Sequence, residues 1–111
     1  MSLTAKELIQ ALPSRLKVDK AKKGNHTARF HFIFTGDGSC ELTAVLADGV
    51  CTVTDGLEGT PDSVVTAKAK DWADLELGRI NAATAFLFGK IKVSKSSMMM
   101  TFIDLFERAK E

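Results

Sequence analysis

Ala28-Arg29-Phe30-His31-Phe32-Ile33-Phe34, Gly36-Asp37-Gly38, Cys40-Glu41-Leu42-Thr43-Ala44-Val45-Leu46, Asp48-Gly49 and Cys51-Thr52-Val53 are successive segments in which apolar alternation is broken only by turn residues. Alternation in its first part puts Ala28, Phe30, Phe32 and Phe34 on one face and Arg29, His31 and Ile33 on the other, a strand half buried by aromatics. In the second part Cys40, Leu42, Ala44 and Leu46 share a face, and Asp48-Gly49 is a two-residue hairpin signal. That turn pairs Leu46 with Cys51 and Ala44 with Val53. A three-residue loop at Gly36 to Gly38 pairs Phe34 with Cys40 and Phe32 with Leu42, so every apolar partner lands on one face. A one-residue slip would set Phe34 opposite Glu41 and turn the apolar set of that strand outward, so the faces select the loop length. A three-stranded meander follows.

Upstream, Thr4-Ala5-Lys6-Glu7 has the spacing of a capping box, and Leu3 and Leu8 occupy the two positions of a hydrophobic staple. Leu8, Ile9, Leu12 and Leu16 continue a helical stripe, which Pro13 should kink or restart near Leu12. Lys17 to Gly24 is polar, with Lys17, Lys20, Lys22 and Lys23 close together.

Downstream, Asp55 to Asp62 reads as a loop and Ser63 to Ala69 as a fourth strand. Its inward set is either Val65, Ala67 and Ala69 or the Val64 and Thr66 set, and the pattern leaves both open. Asp71 to Leu77 is expected to be a short helix carrying Trp72 and Leu75 and stopped by Gly78. Asn81 can cap a second, Ala82 to Phe88, ended by Gly89. Ile91 and Val93 alternate with Lys90 and Lys92 as a short fifth strand, and Ser96 begins the last helix.

On a helical wheel over Ser97 to Ala109, Met98, Met99, Phe102, Ile103, Leu105, Phe106 and Ala109 fill an arc of roughly 160°, with Met100 outside it. Ser97, Thr101, Asp104 and Arg108 form a narrow polar strip. This helix has more apolar surface than one sheet face can cover, so it needs a second apolar neighbour: other helices, a partner subunit or a ligand. The three consecutive methionines favour a ligand, because unbranched thioethers repack around differing apolar shapes.

The ordered run Asp71-Trp72, Gly78-Arg79-Ile80-Asn81, Ala85-Phe86 and Gly89-Lys90-Ile91-Lys92-Val93, followed by an apolar helix, resembles the sterol carrier protein 2 family. Upstream, Ala11-Leu12-Pro13 with Arg15-Leu16, the Phe-rich strand and the Asp48-Gly49 hairpin extend the likeness over nearly the whole chain. The sequence departs from it at Ser94-Lys95-Ser96-Ser97, where the family usually has a Gly-Asp-like turn. The resemblance implies an α+β domain over residues 1–111: a five-stranded, mostly antiparallel sheet with helices on one face and an apolar tunnel between. It also implies a fatty acid, acyl-CoA, phospholipid or sterol as the ligand, carried without catalysis. The lining would come from Phe30, Phe32, Phe34 and Leu42 in the sheet and from Trp72, Leu75, Ile80 and Phe86 in the middle segment. Met98, Met99, Phe102, Ile103 and Phe106 of the last helix complete it. At about 24 cal/mol per Å³, a dry void of roughly 400 Å³ would cost on the order of 10 kcal/mol, which rivals a domain's stability. The site is therefore expected to be filled by lipid or partly collapsed.

Composition narrows the alternatives. The 111 residues, 45% of them apolar, suffice for a single core. Fifteen Lys and Arg against fourteen Asp and Glu provide no field for a polyanion, so nucleic acid is not an expected partner. Neither a secretory signal nor a peroxisomal tripeptide is legible, which points to the cytoplasm. Cys40 and Cys51 sit about six residue pairs apart in the meander, roughly 20 Å, too far for a disulfide. His26 and His31 are read as solvated or edge histidines on opposite sides of the strand. No carboxylate pair is spaced for acid and base work, so neither an enzyme nor a metal or cofactor is expected. Lys17, Lys20, Lys22 and Lys23 are most simply a solvated face, and the sharper reading is transient contact with an anionic membrane surface. The competing reading is an interaction module that dimerises, or binds a protein, through the exposed apolar face of the last helix.

Overall fold

The computed structural model describes residues 3–107 and 109. The meander forms in the register set by its two turns. Strand β1 (Ala28–Thr35) pairs antiparallel with β2 (Cys40–Ala47), Phe34 opposite Cys40 and Phe32 opposite Leu42. In turn β2 pairs with β3 (Val50–Asp55), Leu46 opposite Cys51 and Ala44 opposite Val53. The tight turn works because Asp48 and Gly49 both take positive φ, 53° and 74°, as a two-residue hairpin loop requires.

The remaining strands complete a sheet of order β3-β2-β1-β4-β5. Strand β4 (Ser63–Lys68) lies parallel to β1, and β5 (Ile91–Val93) antiparallel to β4. The choice left open for β4 is settled by burial: Ser63, Val65 and Ala67 are buried while Val64 and Thr66 are half-buried. Phe30, Phe32, Phe34, Leu42, Ala44, Leu46, Val65 and Ile91 join one core cluster with residues from the helices.

Helix α1 (Ala5–Gln10) opens on the expected capping box: Thr4 N–H donates to Glu7 Oε1 at 2.9 Å and Glu7 N–H to Thr4 Oγ1 at 3.1 Å. The chain breaks at Ala11 and restarts as α2 (Leu12–Arg15), with Pro13 in its first turn, where a missing N–H costs nothing. Helix α4 (Ala69–Glu76) begins two residues earlier than expected and stops before Gly78, whose φ is 77°. Helix α5 (Ala82–Leu87) is capped by Asn81 Oδ1, which accepts from the N–H groups of Ala83 and Thr84.

Two local features were not legible. The lysine-rich segment folds as helix α3 (Val18–Lys23), with Asp19 in its first turn and three lysines in its last, favourable at both ends of the helix dipole. Ala21, fully buried, is its anchor, and one Ala carries no periodic signal. Helix α6 (Ser96–Leu105) also ends earlier than the wheel implied. Phe106 is extended and forms an antiparallel bridge with Leu16, so Phe106 and Ala109 do not extend the helical arc. Lys17 N–H donates to Leu105 O at 2.8 Å and Glu107 N–H to Arg15 O at 2.6 Å. Met1, Ser2, Arg108, Lys110 and Glu111 lie outside the described residues, so the readings of both termini and of Arg108 on the polar strip do too.

The histidines correct a second expectation. His31 is buried on the outer sheet face beneath the loop after β3, its Nε2 2.9 Å from Glu58 O. Thr43, also buried there, accepts from Glu58 N–H and donates to Gly56 O, which ties the loop down. His26 precedes β1 and is half-buried.

Candidate ligand-binding site

The larger of the two cavities lined by the last helix, about 460 Å³, lies between α4, α5, α6 and the segment after α6. Trp72 and Leu75 enter from α4, where a spacing of three puts them on one face. Ala82 and Phe86 face them from α5 at a spacing of four, and Met99, Phe102 and Ile103 come from α6, with Phe106 just beyond it. These walls are apolar, but Arg15, Lys17, Glu76 and Glu107 give the cavity an ionic end.

The ions at that end are unequal. Arg15 Nη2 donates to Glu76 Oε1 at 3.0 Å, Nε to Glu107 O at 3.0 Å and Nη1 to Leu8 O at 3.3 Å. The other oxygen of Glu76 accepts from the indole Nε1–H of Trp72 at 2.8 Å. Arg15 and Glu76 are thus committed to the frame, and a carboxylate bound at both oxygens is poorly placed for acid–base work. Lys17 makes no ion pair among the described residues, so it is the cation at this cavity with charge to offer.

A smaller cavity of about 260 Å³ lies where β1 and β2 meet the first turns of α6. Phe30, Leu46, Met98, Phe102 and Leu105 supply its apolar lining, and His26, Ser97 and Thr101 its polar lining. The three methionines diverge: Met98 lines this cavity, Met99 the larger one, and Met100 is 69% exposed.

Of the residues expected to line the site, Trp72, Leu75, Phe86, Met99, Phe102, Ile103 and Phe106 converge on the larger cavity, and Phe30, Met98 and again Phe102 on the smaller. Phe32, Phe34, Leu42 and Ile80 line neither of the two. Phe32 and Phe34 pack against Trp72, at ring-centroid distances of 5.5 and 5.8 Å, so helix α4 covers that part of the strand. The phenylalanine strand and α6 meet through Phe102, which touches Phe30 at 5.1 Å and Phe32 at 5.9 Å. The larger open space lies among the helices, on the other side of that contact.

The four lysines of the N-terminal segment do not act as one face. Lys17 lines the larger cavity, and Lys20 Nζ pairs with Asp104 Oδ2 at 2.7 Å, which holds the Asp104 carboxyl below the usual range. The stem of Lys22 covers Gly49, while Lys23 is exposed. Both thiols are free; burial pushes Cys51 up to about 11 and raises the half-buried Cys40 as well. Among the described residues no helix is long and apolar enough to cross a membrane.

The model of the SCP-2 sterol transfer family matches residues 5–107. No curated protein matches the sequence. Among solved structures, sterol carrier protein 2 like 2 from Aedes aegypti is similar at a TM-score of 0.70 and 22% identity, covering 90% of this chain and 91% of that one. A palmitated form of that protein gives 0.69 and 18% identity, covering 92% and 93%. The inverting sec-alkylsulfatase Pisa1 from a Pseudomonas species gives 0.80 and 22% identity over 97% of this chain. This chain spans 17% of the length of that sulfatase.

Proposed function

The chain belongs to the SCP-2 sterol transfer family, and from that premise we propose that it is a non-catalytic carrier of an apolar lipid, held by its alkyl chain in the cavity between α4, α5 and α6. The observation that carries this reading is the cavity's division into apolar walls and an ionic end. Trp72, Leu75, Phe86, Met99 and Ile103 offer a chain only dispersion and dehydration, worth roughly 0.8 kcal/mol per buried methylene. Lys17 offers a point charge to an anionic head at the rim. A single-chain carboxylate or an acyl thioester fits this arrangement better than a sterol, whose hydroxyl needs no cation. Loading at an anionic bilayer is part of the proposal, with Lys17 and Lys23 as contacts and Lys20 held back by Asp104.

A second reading is favoured by the likeness to the sulfatase: a module of this fold that presents an amphiphile to an enzyme rather than moving it between membranes. Both readings require the same binding event. The test is organic extraction of the purified protein with mass spectrometry, followed by displacement of a fluorescent fatty acid from delipidated protein. Copurified lipid and saturable displacement are expected. A chain that yields no lipid, displaces no probe and elutes as a dimer through Met100 and Ile103 would overturn the carrier in favour of an interaction module.

A further inference from the structure

One residue, Phe102, is common to the linings of the two cavities. It is 5% exposed, and its ring meets three others: Phe30 at 5.1 Å and 63° on the side of the smaller cavity, Phe32 at 5.9 Å and 56°, and Phe106 at 4.6 Å and 38° on the side of the larger. One turn earlier on the same helix face, Met98 borders the smaller cavity and Met99 the larger, so the ring is flanked by two of the helix's three adaptable methionines.

We propose that Phe102 is a displaceable partition in a bipartite site, and that it determines the chain length this protein accepts. The inference rests on the carrier reading. An alkyl chain whose head sits at Lys17 runs along Trp72 and Met99 and reaches the Phe102 ring. Short chains end there. Longer ones swing the ring aside, exchange its contacts with Phe30, Phe32 and Phe106 for contacts with their own carbons, and place their ends in the smaller cavity beside Met98 and Leu105. No hydrogen bond restrains that motion: what the ring gives up is aromatic contact, which each added methylene replaces with contact of the same kind. The position assigns the consecutive methionines distinct tasks, Met99 as wall of the first compartment and Met98 as wall of the second.

The experiment is a chain-length ladder: saturated fatty acids from about eight to twenty carbons displace a fluorescent fatty acid from wild type, Phe102→Ala, Phe102→Leu and Met100→Leu. In wild type the affinity should rise about fourfold per carbon, stall over a few carbons where the chain meets the ring, and then rise again. Both Phe102 variants should climb through the stall without a break and hold the longest acids at least tenfold more tightly relative to the stalled length. Met100→Leu, a change on the exposed side of α6 that lines neither cavity, should keep the stall. If Phe102→Ala does not fold, Phe102→Leu decides. Contacts between the terminal methyl of the ligand and the Met98 methyl, seen by NMR with the longest acid and absent with the shortest, give an independent readout. An unbroken wild-type ladder, or a stall that survives in the folded Phe102 variants, overturns the partition while leaving the carrier standing; no binding at any length overturns both.

Discussion

Arg15 and Glu76 are 61 residues apart in the chain and 3.0 Å apart in the fold, with side chains only 15% and 10% exposed. Because Arg15 also binds the carbonyls of Leu8 and Glu107, this guanidinium ties α1, α4 and the segment after α6 to one point. A cation sheltered to this degree is costly to leave unpaired, which makes the pair a condition of the fold rather than a bonus to it.

Glu76→Ala should therefore destabilise the protein by about 2–4 kcal/mol in urea denaturation, and Arg15→Met by a comparable amount. Replacing both with apolar residues of similar volume should cost less than the two single losses together, by at least about 1 kcal/mol. Additive losses would show that the pair is not coupled.

Trp72 reports on the same corner. Its ring lines the larger cavity while its Nε1–H is fixed on Glu76, so a chain entering the cavity changes the packing on the ring face without freeing the indole. Addition of palmitate to delipidated protein should change Trp72 emission saturably and raise Tm by several degrees, since ligand at a hundred times Kd stabilises the native state by about 2.7 kcal/mol. Phe86→Ser, which removes a wall of the cavity without opening the core, should weaken binding about tenfold or more.

What the sequence disclosed, and what it did not, divides by the range of the interaction. The Phe34–Cys40 and Leu46–Cys51 pairings were legible because loop length and face alternation constrain each other within about 25 residues. The caps at Thr4, Asn81, Gly78 and Gly89 were legible for the same reason. Parity along β1 identified the inward face but not which part of it would be covered: that Phe34 lies under Trp72 while Phe30 borders a cavity depends on where α4 and α6 come to rest. The ionic end was invisible, because nothing local links Arg15 to Glu76. Helix α6 ended early for a like reason: Phe106 bridges Leu16, a partner a helical wheel does not contain.

The thiols make a pH prediction. Burial raises Cys51 from an ordinary 9.0 to about 11, so the folded state resists ionisation that the unfolded chain permits. The stability this confers is fully present below the unfolded value and is lost as pH rises from about 9 to about 11. Denaturation midpoints across that interval should fall for wild type and fall less for Cys51→Ala. At pH 8, iodoacetamide should label the half-buried Cys40 well ahead of Cys51, read by peptide mass mapping. Equal labelling rates would contradict the burial of Cys51 in the folded protein.

Lys17 gives the sharpest test of how a ligand is oriented. Its backbone N–H is fixed on Leu105 O at 2.8 Å, so the start of its side chain is held at the end of α6 beside the cavity. Arg15, its cationic neighbour at this end, is already bound to Glu76. A fatty carboxylate should therefore bind more tightly than the alcohol of the same length, by a margin that shrinks with salt because the rim is wet. Lys17→Gln should lower the affinity for the acid about two- to fivefold, the range of a solvated ion pair of up to roughly 1 kcal/mol, and leave that for the alcohol unchanged. Lys23→Gln, a charge change away from the cavity lining, should do neither. Isothermal titration with the matched acid and alcohol at two salt concentrations checks each arm, and equal losses for the two ligands would show that the head group sits somewhere other than Lys17.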